Sequence, residues 1–220
     1  MPLHFLAAIF DMDGTLFATE QIAVDALRAA FGECGVDVSP RDLQEVIGRA
    51  GKETREYLAQ FAPADVGIDP ILQRGSAMIK ARLERDGMPI KPGVHELLDF
   101  LRKRGIPMGV ATSTRTAVAH DNLRRARIDH YFGTVVGGDA VDSPKPHPEG
   151  YLKAARDLRV APADTIAVED SDLGIQSASR AGMQVIYVPD IKPVDAQVKA
   201  LVCHEYPSLL GLLNALASNA

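Results

Sequence analysis

Several features that would place this 220-residue chain in a specialised class of protein are missing from its sequence. Its two cysteines, Cys34 and Cys203, stand far apart and lack the spacing of a metal site, which argues against a disulfide framework. The apolar run at 5–10 is too brief for a signal peptide or a membrane span. No basic cluster exceeds Arg102-Lys103-Arg104, and the formal net charge is −5. We therefore expect a cytoplasmic protein whose partners include neither nucleic acid nor membrane.

What the sequence does contain is the pattern of an α/β protein, long enough for one core and a small insert. Five apolar runs without polar alternation predict strands that are buried on both faces, at 6–10, 107–111, 134–136, 166–168 and 185–188. Amphipathic stretches between them predict helices, at 94–104, 116–126, 148–158 and 173–181. Strands that alternate with helices predict a Rossmann-like parallel sheet with helices on both faces.

The segment 17–91 differs from the rest, because it contains helical stretches and no convincing strand. The predicted helices are 22–31, 40–47, 52–61 and 71–85. Ser39 and Pro40 suit the N-cap and the first position of the second helix, and Pro92-Gly93 marks the return to the alternating pattern. We therefore predict a core domain of residues 1–16 and 92–220, with an inserted all-helical cap domain of residues 17–91.

Two aspartates, Asp11 and Asp13, directly follow the first predicted strand. Ligands gather beyond the carboxyl ends of parallel strands, so two carboxylates at this point can take different chemical roles. Gly14 allows the backbone to turn sharply and to approach an anion closely. The alternative is that Asp13-Gly14 is only a turn, since this dipeptide is common in turns.

Residues after the next strands add hydroxyl groups and a cation. Thr112 and Ser113 offer hydroxyls and peptide N–H groups just before a helix, although simple N-capping would also explain them. Lys145 lies among Pro144, Pro146 and Pro148, which hold its loop rigid and would aim the ammonium group at a fixed point. The alternative for Lys145 is a solvated surface charge.

An acidic pair, Glu169-Asp170, follows the strand predicted at 166–168. Adjacent acids after a buried strand repel one another, and a bound cation relieves that repulsion. Helix capping is the alternative explanation.

These residues resemble, in order, the four signatures of the haloacid dehalogenase superfamily, and the resemblance spans nearly the whole chain. The signatures are Asp11-x-Asp13-Gly14-Thr15, then Thr112, then Lys145-Pro146, then Glu169-Asp170. The sequence is most similar to the subgroup of phosphoglycolate phosphatase, sugar-phosphate phosphatases and β-phosphoglucomutase. In that subgroup a helical cap begins just after the first signature, as the segment 17–91 does here.

The resemblance implies a Mg²⁺-dependent phosphatase that acts on small phosphorylated metabolites, such as sugar phosphates or phosphoglycolate-like esters. Asp11 would be the nucleophile and Asp13 the general acid and base. Thr112, Ser113 and Lys145 would bind the phosphoryl group. The implied metal ligands are the Asp11 carboxylate, the Asp13 carbonyl, Asp170, and Glu169 directly or through water.

Two alternatives to the phosphatase remain. A phosphohexomutase of the β-phosphoglucomutase type keeps both aspartates, but it carries a histidine on the linker into its cap, and residues 17–23 contain none. A non-catalytic module that binds phosphate ligands is permitted by the fold, although replacement of Asp11 or Asp13 would be the feature to favour it. Dehalogenation is disfavoured, because the dehalogenases lack an aspartate at the position of Asp13.

Substrate choice is expected to depend on the cap, where the sequence says least. Arg49 and Lys52 lie between two predicted cap helices and are candidate substrate contacts, although solvated basic residues beside a flexible turn are the simpler interpretation. The oligomeric state is left open between a monomer and a weak dimer.

Overall fold

The computed structural model describes residues 3–47 and 51–218. Within these residues the sheet contains six strands: β1 (Ala7–Phe10), β2 (Met108–Ala111), β3 (Phe132–Val136), β4 (Thr165–Glu169), β5 (Gln184–Tyr187) and β6 (His204–Glu205). Their order across the sheet is β3-β2-β1-β4-β5-β6, and every neighbouring pair is parallel. Each residue of β1, β2 and β4 is buried, which explains why these strands are continuous apolar runs.

The predicted α/β fold with a parallel sheet is confirmed, and the five predicted strands lie within about two residues of those observed. The sixth strand was not predicted. It consists of His204 and Glu205, which pair with Ile186 and Tyr187 at the edge of the sheet. Two polar residues on an edge strand give no apolar run from which a strand could be recognised.

In the described part of the segment after β1 there are four helices: α1 (Glu20–Glu33), α2 (Pro40–Gln44), α3 (Gly51–Ala59) and α4 (Ile68–Asp86). Ser39 caps α2 as expected, since its hydroxyl accepts a hydrogen bond from the peptide N–H of Asp42 at 3.2 Å. The four helices share a hydrophobic cluster that includes Val24, Phe31 and Leu58.

The chain enters and leaves this helical segment side by side. The peptide N–H of Ala18 donates to the Pro89 carbonyl at 2.8 Å, and that of Lys91 donates to the Leu16 carbonyl at 2.9 Å. Two adjacent connections therefore join the four helices to the sheet, next to the end of β1.

The remaining helices cover both faces of the sheet: α5 (Val94–Lys103), α6 (Thr116–Arg125), α7 (Glu149–Leu158), α8 (Asp172–Arg180), α9 (Ala196–Lys199) and α10 (Leu209–Ser218). Successive residues of β1 point to opposite faces. Phe10 packs in a cluster with residues of α5, α6 and α10, whereas Ile9 packs with residues of α7, α8 and α9. Among the residues described, no helix combines the length and the apolar character that a membrane crossing requires.

Candidate active site

The carboxyl ends of β1, β2 and β4 bring three loops together at one edge of the sheet. Phe10 of β1 lies opposite Val110 of β2 and Val168 of β4, so Asp11 follows at the level where both neighbouring strands end. The peptide N–H of Asp11 donates to the Val168 carbonyl at 3.0 Å, which fixes the backbone of Asp11 to β4. Ligand sites of parallel sheets form at such an edge.

Lys145 joins the buried carboxylates of Asp11 and Glu169. Its Nζ donates to Asp11 Oδ1 at 2.5 Å and to Glu169 Oε1 at 2.6 Å. Burial raises the pKa of Asp11 to about 7, even though the Lys145 ammonium group opposes that rise. Burial lowers the pKa of Lys145, but the attraction of Asp11 and Glu169 outweighs it, so the net direction is upward and Lys145 stays charged.

The carboxylate of Glu169 is fully buried and is surrounded by donors from the protein itself. Besides Lys145, it accepts hydrogen bonds from Tyr151 Oη at 2.7 Å, from Ser171 Oγ at 3.1 Å and from the peptide N–H groups of Asp170 and Ser171 at 3.1 and 3.3 Å. A Cβ on Gly174 would lie 1.8 Å from Glu169 Oε1. Only glycine at 174 therefore leaves room for this carboxylate beneath the first turn of α8.

Asp13 is held by two threonine hydroxyls. Thr19 Oγ1 donates to Asp13 Oδ1 at 2.6 Å, and Thr114 Oγ1 donates to Asp13 Oδ2 at 2.8 Å. Thr19 precedes α1, whereas Thr114 follows β2, so Asp13 contacts the helical segment and the sheet at once. These two contacts fix the direction in which the carboxylate points.

A cavity of about 200 Å³ contains most of the predicted site residues. Asp11, Asp13, Thr112, Ser113 and Lys145 all line it. The Thr112 hydroxyl also accepts a hydrogen bond from the peptide N–H of Thr114 at 3.1 Å, which orients the loop after β2. The cavity thus combines carboxylates, hydroxyls and an ammonium group around a space that can hold a phosphoryl group.

Asp170 lies beside Asp11 and Glu169, and one carboxylate oxygen from each of these three residues falls within 4.8 Å of the others. Asp170 accepts a hydrogen bond from Thr15 Oγ1 at 2.9 Å, and burial followed by repulsion from Asp11 and Glu169 raises its pKa well above the ordinary value. Gly14 approaches it so closely that a Cβ there would lie 2.1 Å from Asp170 Oδ2.

A second cluster of acidic residues, which was not predicted, consists of Glu20, Asp170 and Asp190. One carboxylate oxygen from each of them lies within 4.8 Å of the others. Glu20 is 8% exposed, and its Oε2 has no hydrogen-bond partner among the described residues. Burial, together with repulsion from Asp170 and Asp190, raises the pKa of Glu20 to about 11. Lys91 donates to Asp190 Oδ1 at 2.8 Å and to the Gly14 carbonyl at 2.5 Å.

The two acidic groups fit a hard divalent cation. Their donors are all oxygens, and oxygen ligands are those that Mg²⁺ binds in proteins. Burial and mutual repulsion raise the pKa values of these carboxylates, and one of their oxygens has no hydrogen-bond partner among the described residues, so a bound cation would be stabilised here.

Comparison with known proteins agrees with this geometry. A family model described as haloacid dehalogenase-like hydrolase matches residues 8–188. The chain belongs to this family. The predicted family and the predicted hydrolase class are therefore confirmed.

This haloacid dehalogenase-like hydrolase is similar in sequence to curated proteins and in fold to solved structures. It is 32% identical to a phosphorylated carbohydrates phosphatase from Thermotoga maritima over 82% of this chain and 83% of that protein. Its fold matches CbbY from Rhodobacter sphaeroides in complex with xylulose-(1,5)bisphosphate, with a TM-score of 0.81 and 26% identity over 96% and 99% of the two chains. A candidate β-phosphoglucomutase from Thermotoga maritima matches with a TM-score of 0.78 and 28% identity over 96% and 98%.

Of the two predicted substrate contacts in the cap of this hydrolase, Arg49 and Lys52, the structure describes Lys52. Arg49 lies outside the described residues. The Lys52 side chain is 87% exposed, with Nζ 3.9 Å from Glu56 Oε1 one helical turn away, and Lys52 is not among the residues that line the cavity at Asp11. The geometry of Lys52 is thus that of a solvated residue.

Several residues of the site were missed from the sequence. Glu20 stands in the first turn of an amphipathic helix, where acids are common for reasons of helix stability alone. Tyr151 lies on the buried face of α7, where the sequence pattern indicates only an ordinary core residue. Thr114 belongs to the segment 112–115 whose hydroxyls follow the second predicted strand, but its hydrogen bond to Asp13 was not predicted.

Proposed function

We propose that this chain is a Mg²⁺-dependent phosphatase that hydrolyses small phosphorylated metabolites through an aspartyl-phosphate on Asp11. The observation that carries the proposal is the position of Asp11, which is in contact with Lys145, adjoins Asp170 and shares one cavity with Thr112 and Ser113. The phosphatase activity of a relative that is 32% identical supports the same reaction.

In the first step an Asp11 carboxylate oxygen would attack phosphorus and displace the ester oxygen. A carboxylate and a phosphate dianion about 4 Å apart repel by about 4 kcal/mol at an effective dielectric constant of 20 for each pair of unit charges. The Lys145 ammonium group, 2.5 Å from Asp11 Oδ1, offsets this repulsion. The Thr112 hydroxyl and the Ser113 N–H would hold the equatorial oxygens, where charge accumulates in the transition state.

Asp13 would move the protons of both steps. As an acid it would protonate the departing ester oxygen, so that the leaving group departs as a neutral alcohol. As a carboxylate it would then take a proton from the water that attacks the aspartyl-phosphate, which releases inorganic phosphate and restores Asp11. The two hydroxyls at 2.6 and 2.8 Å from its oxygens support this role, because they keep the carboxyl group pointed into the cavity.

The metal would be held by the carboxylates of Asp11 and Asp170 and by the Asp13 carbonyl. When bound, Mg²⁺ supplies positive charge that neutralises the phosphoryl oxygens and lowers the repulsion described above. Glu169 was predicted as a direct or water-mediated ligand. Its five hydrogen bonds favour a different role for Glu169, in which it fixes Lys145 toward Asp11.

We also propose that residues 17–91 form a cap over a core of residues 1–16 and 92–220. The separate hydrophobic cluster of α1–α4 and the adjacent entry and exit connections support this division. A cap that closes over the substrate would exclude bulk water during the first step. The cytoplasm is the proposed compartment, and a monomer or weak dimer the proposed state.

The mutase remains the second candidate, because a candidate β-phosphoglucomutase shares the fold. The stretch 17–23, which corresponds to the linker that carries a histidine in that mutase, contains no histidine, and Ala23 of this stretch lines a cavity together with Asp13. A linker without this histidine favours hydrolysis over isomerisation.

The deciding experiment incubates the purified chain and Mg²⁺ with a panel of phosphate monoesters and scores both free phosphate and isomerised product. Asp11→Asn is the matched variant and should abolish phosphate release. Conversion of β-glucose 1-phosphate to glucose 6-phosphate that outruns phosphate release would establish the mutase instead. Phosphate binding without turnover on any ester would establish the non-catalytic module.

A further inference from the structure

A large cavity between the helical segment and α6 adjoins the phosphate site, and we name it the leaving-group chamber. Its volume is about 860 Å³, against about 200 Å³ for the cavity at Asp11. Asp13, Glu20 and Thr114 line both cavities, so the chamber begins where the proposed general acid stands. An ester whose phosphoryl group is bound at Asp11 would extend its alcohol portion into this space.

The walls of the leaving-group chamber are mainly aliphatic. Side chains from α1, from the turn after α2, from α4 and from α6 face it, among them Val24, Leu27, Ile47, Ile79, Leu83 and Val118. Val118 is 48% exposed, because its helix buries Ala119 and Leu123 on the sheet and leaves Val118 on another face, toward the chamber. Aliphatic side chains around an open cavity beside a catalytic group indicate a binding surface for an apolar ligand.

Among the described residues, the charged side chains of the chamber do not offer a site for a second anion. Lys80 and Arg125 are the cations among the described residues that line it. Lys80 Nζ lies 3.8 Å from Glu84, and Arg125 Nε lies 2.7 Å from Asp121. Each of these cations therefore has an acid within 4 Å, so the described wall of the chamber carries no unbalanced positive charge to attract a carboxylate or a second phosphate.

The size of the chamber also disfavours the smallest leaving groups. Pockets of about 300–1,000 Å³ bind drug-sized ligands, and 860 Å³ lies in the upper part of that range. At about 30 Å³ for each water, a two-carbon alcohol would leave most of this apolar space filled by water. A larger apolar group that fills the chamber displaces this water from the aliphatic walls. The displacement makes the free energy of binding more favourable.

On the basis of the proposed phosphatase function, we propose that the substrate is a phosphate monoester of an uncharged alcohol with an apolar body of six or more carbon atoms. The phosphoryl group would be recognised at Asp11 and Lys145, and the apolar body by the aliphatic walls of the leaving-group chamber. Such a substrate is amphipathic, and neither bisphosphates nor phosphoglycolate would be preferred substrates.

A series of n-alkyl phosphates from ethyl to octyl tests this proposal with Mg²⁺ present. The leaving alcohols have nearly equal acidity, so the chemical step stays constant while only the apolar surface grows. We expect kcat/KM to rise about fourfold with each added methylene, as for transfer of a methylene group out of water. An increase of more than tenfold from ethyl to octyl phosphate supports the proposal, and a smaller increase or a decrease overturns it.

Two matched valine variants test whether the dependence of kcat/KM on alkyl chain length arises at the chamber wall. Val118→Asp places a charge on the chamber wall, and Val66→Asp places one at another partly exposed valine, 36% exposed, which does not line the chamber. We expect the ratio of kcat/KM between octyl and ethyl phosphate to fall at least fivefold in Val118→Asp and to be unchanged in Val66→Asp. An unchanged ratio in both variants overturns the assignment to the chamber. The ratio is insensitive to a change in the folded fraction, since both substrates report on the same folded molecules.

The panel of sugar phosphates and phosphoglycolate separates this inference from the proposed function. Efficient hydrolysis of those polar esters together with a flat alkyl series would leave the phosphatase proposal standing and overturn the apolar substrate. No phosphate release from any ester would overturn both.

Discussion

Lys145 Nζ lies 2.5 Å from Asp11 Oδ1 although the two residues are 134 positions apart in the sequence. Both side chains are about 10% exposed, so this ion pair is screened little by solvent. A buried cation in contact with the proposed nucleophile determines how closely a phosphate anion can approach. The consequences of this arrangement, and of the acids around it, can be measured.

Replacement of Lys145 by methionine should remove the positive charge while keeping much of the side-chain volume. We expect kcat/KM to fall by about 10²–10³, the usual loss when one group that stabilises transition-state charge is removed. Lys153→Met is the control, because Lys153 lies on α7 with Nζ 3.9 Å from Asp157 and outside the cavity. A loss of less than tenfold in Lys145→Met would show that Lys145 does not contact the phosphoryl group.

Replacement of Asp13 by alanine should affect poor leaving groups most. An alkoxide needs a proton as it departs, whereas p-nitrophenolate leaves without one. We expect the loss of kcat for an alkyl phosphate to exceed the loss for p-nitrophenyl phosphate by at least tenfold. The measurement is kcat of the variant and the unchanged protein on both esters. Equal losses would contradict the role of Asp13 as general acid.

The stability of the metal-free protein should fall as pH rises. Burial raises the pKa of Asp11 from 3.8 to about 7, so between these values the folded chain binds more protons than the unfolded chain. Stability from this group is therefore fully present below about pH 4 and lost as pH rises through about 7, by up to roughly 4 kcal/mol. Asp170 has a pKa shifted in the same direction and adds to the loss.

Thermal unfolding in EDTA and in Mg²⁺ from pH 5 to pH 8 checks this prediction. Mg²⁺ should raise Tm most at pH 8, where the carboxylates are ionised, because a cation bound only to the folded state stabilises it. Asp170→Asn is the matched variant, which removes one of the repelling charges. It should raise Tm in EDTA at pH 8 and abolish the response to Mg²⁺. A metal-free protein that becomes more stable from pH 5 to pH 8 would contradict the assignment.

Replacement of Gly14 by alanine should damage the acidic site beyond its effect on the backbone. Gly14 has φ of +87°, and a Cβ there would lie 2.1 Å from Asp170 Oδ2. Gly35→Ala is the control, since Gly35 has φ of +74° but no atom of the described residues within 4 Å of its Cβ position. In both variants the free energy of unfolding should fall by about 1–2 kcal/mol, because an alanine is strained at a positive φ. Only Gly14→Ala should also lose the Mg²⁺-dependent rise in Tm, as measured by thermal unfolding with and without the ion.

The class of fold, and the positions at which the polar residues follow the strands, can be predicted from the amino-acid sequence. Runs such as 6–10 and 166–168 are apolar throughout because both faces of their strands are covered, and this requirement is visible without the tertiary structure. Asp11 and Glu169-Asp170 follow these runs directly, so their meeting at one edge could be expected. The carboxyl ends of parallel strands meet wherever the strands are neighbours.

Which of these groups are in contact, and what surrounds them, depends on the packing of distant segments. That Lys145 contacts both Asp11 and Glu169, that Tyr151 donates to Glu169, and that Glu20 is buried beside Asp170 all depend on contacts between distant segments. No local pattern encodes such contacts, since an acid in a first helical turn or a tyrosine on a buried face has several ordinary explanations. The leaving-group chamber likewise could not be predicted from a local pattern. Its aliphatic walls come from four separate elements, which only the packing of helices against the sheet brings together.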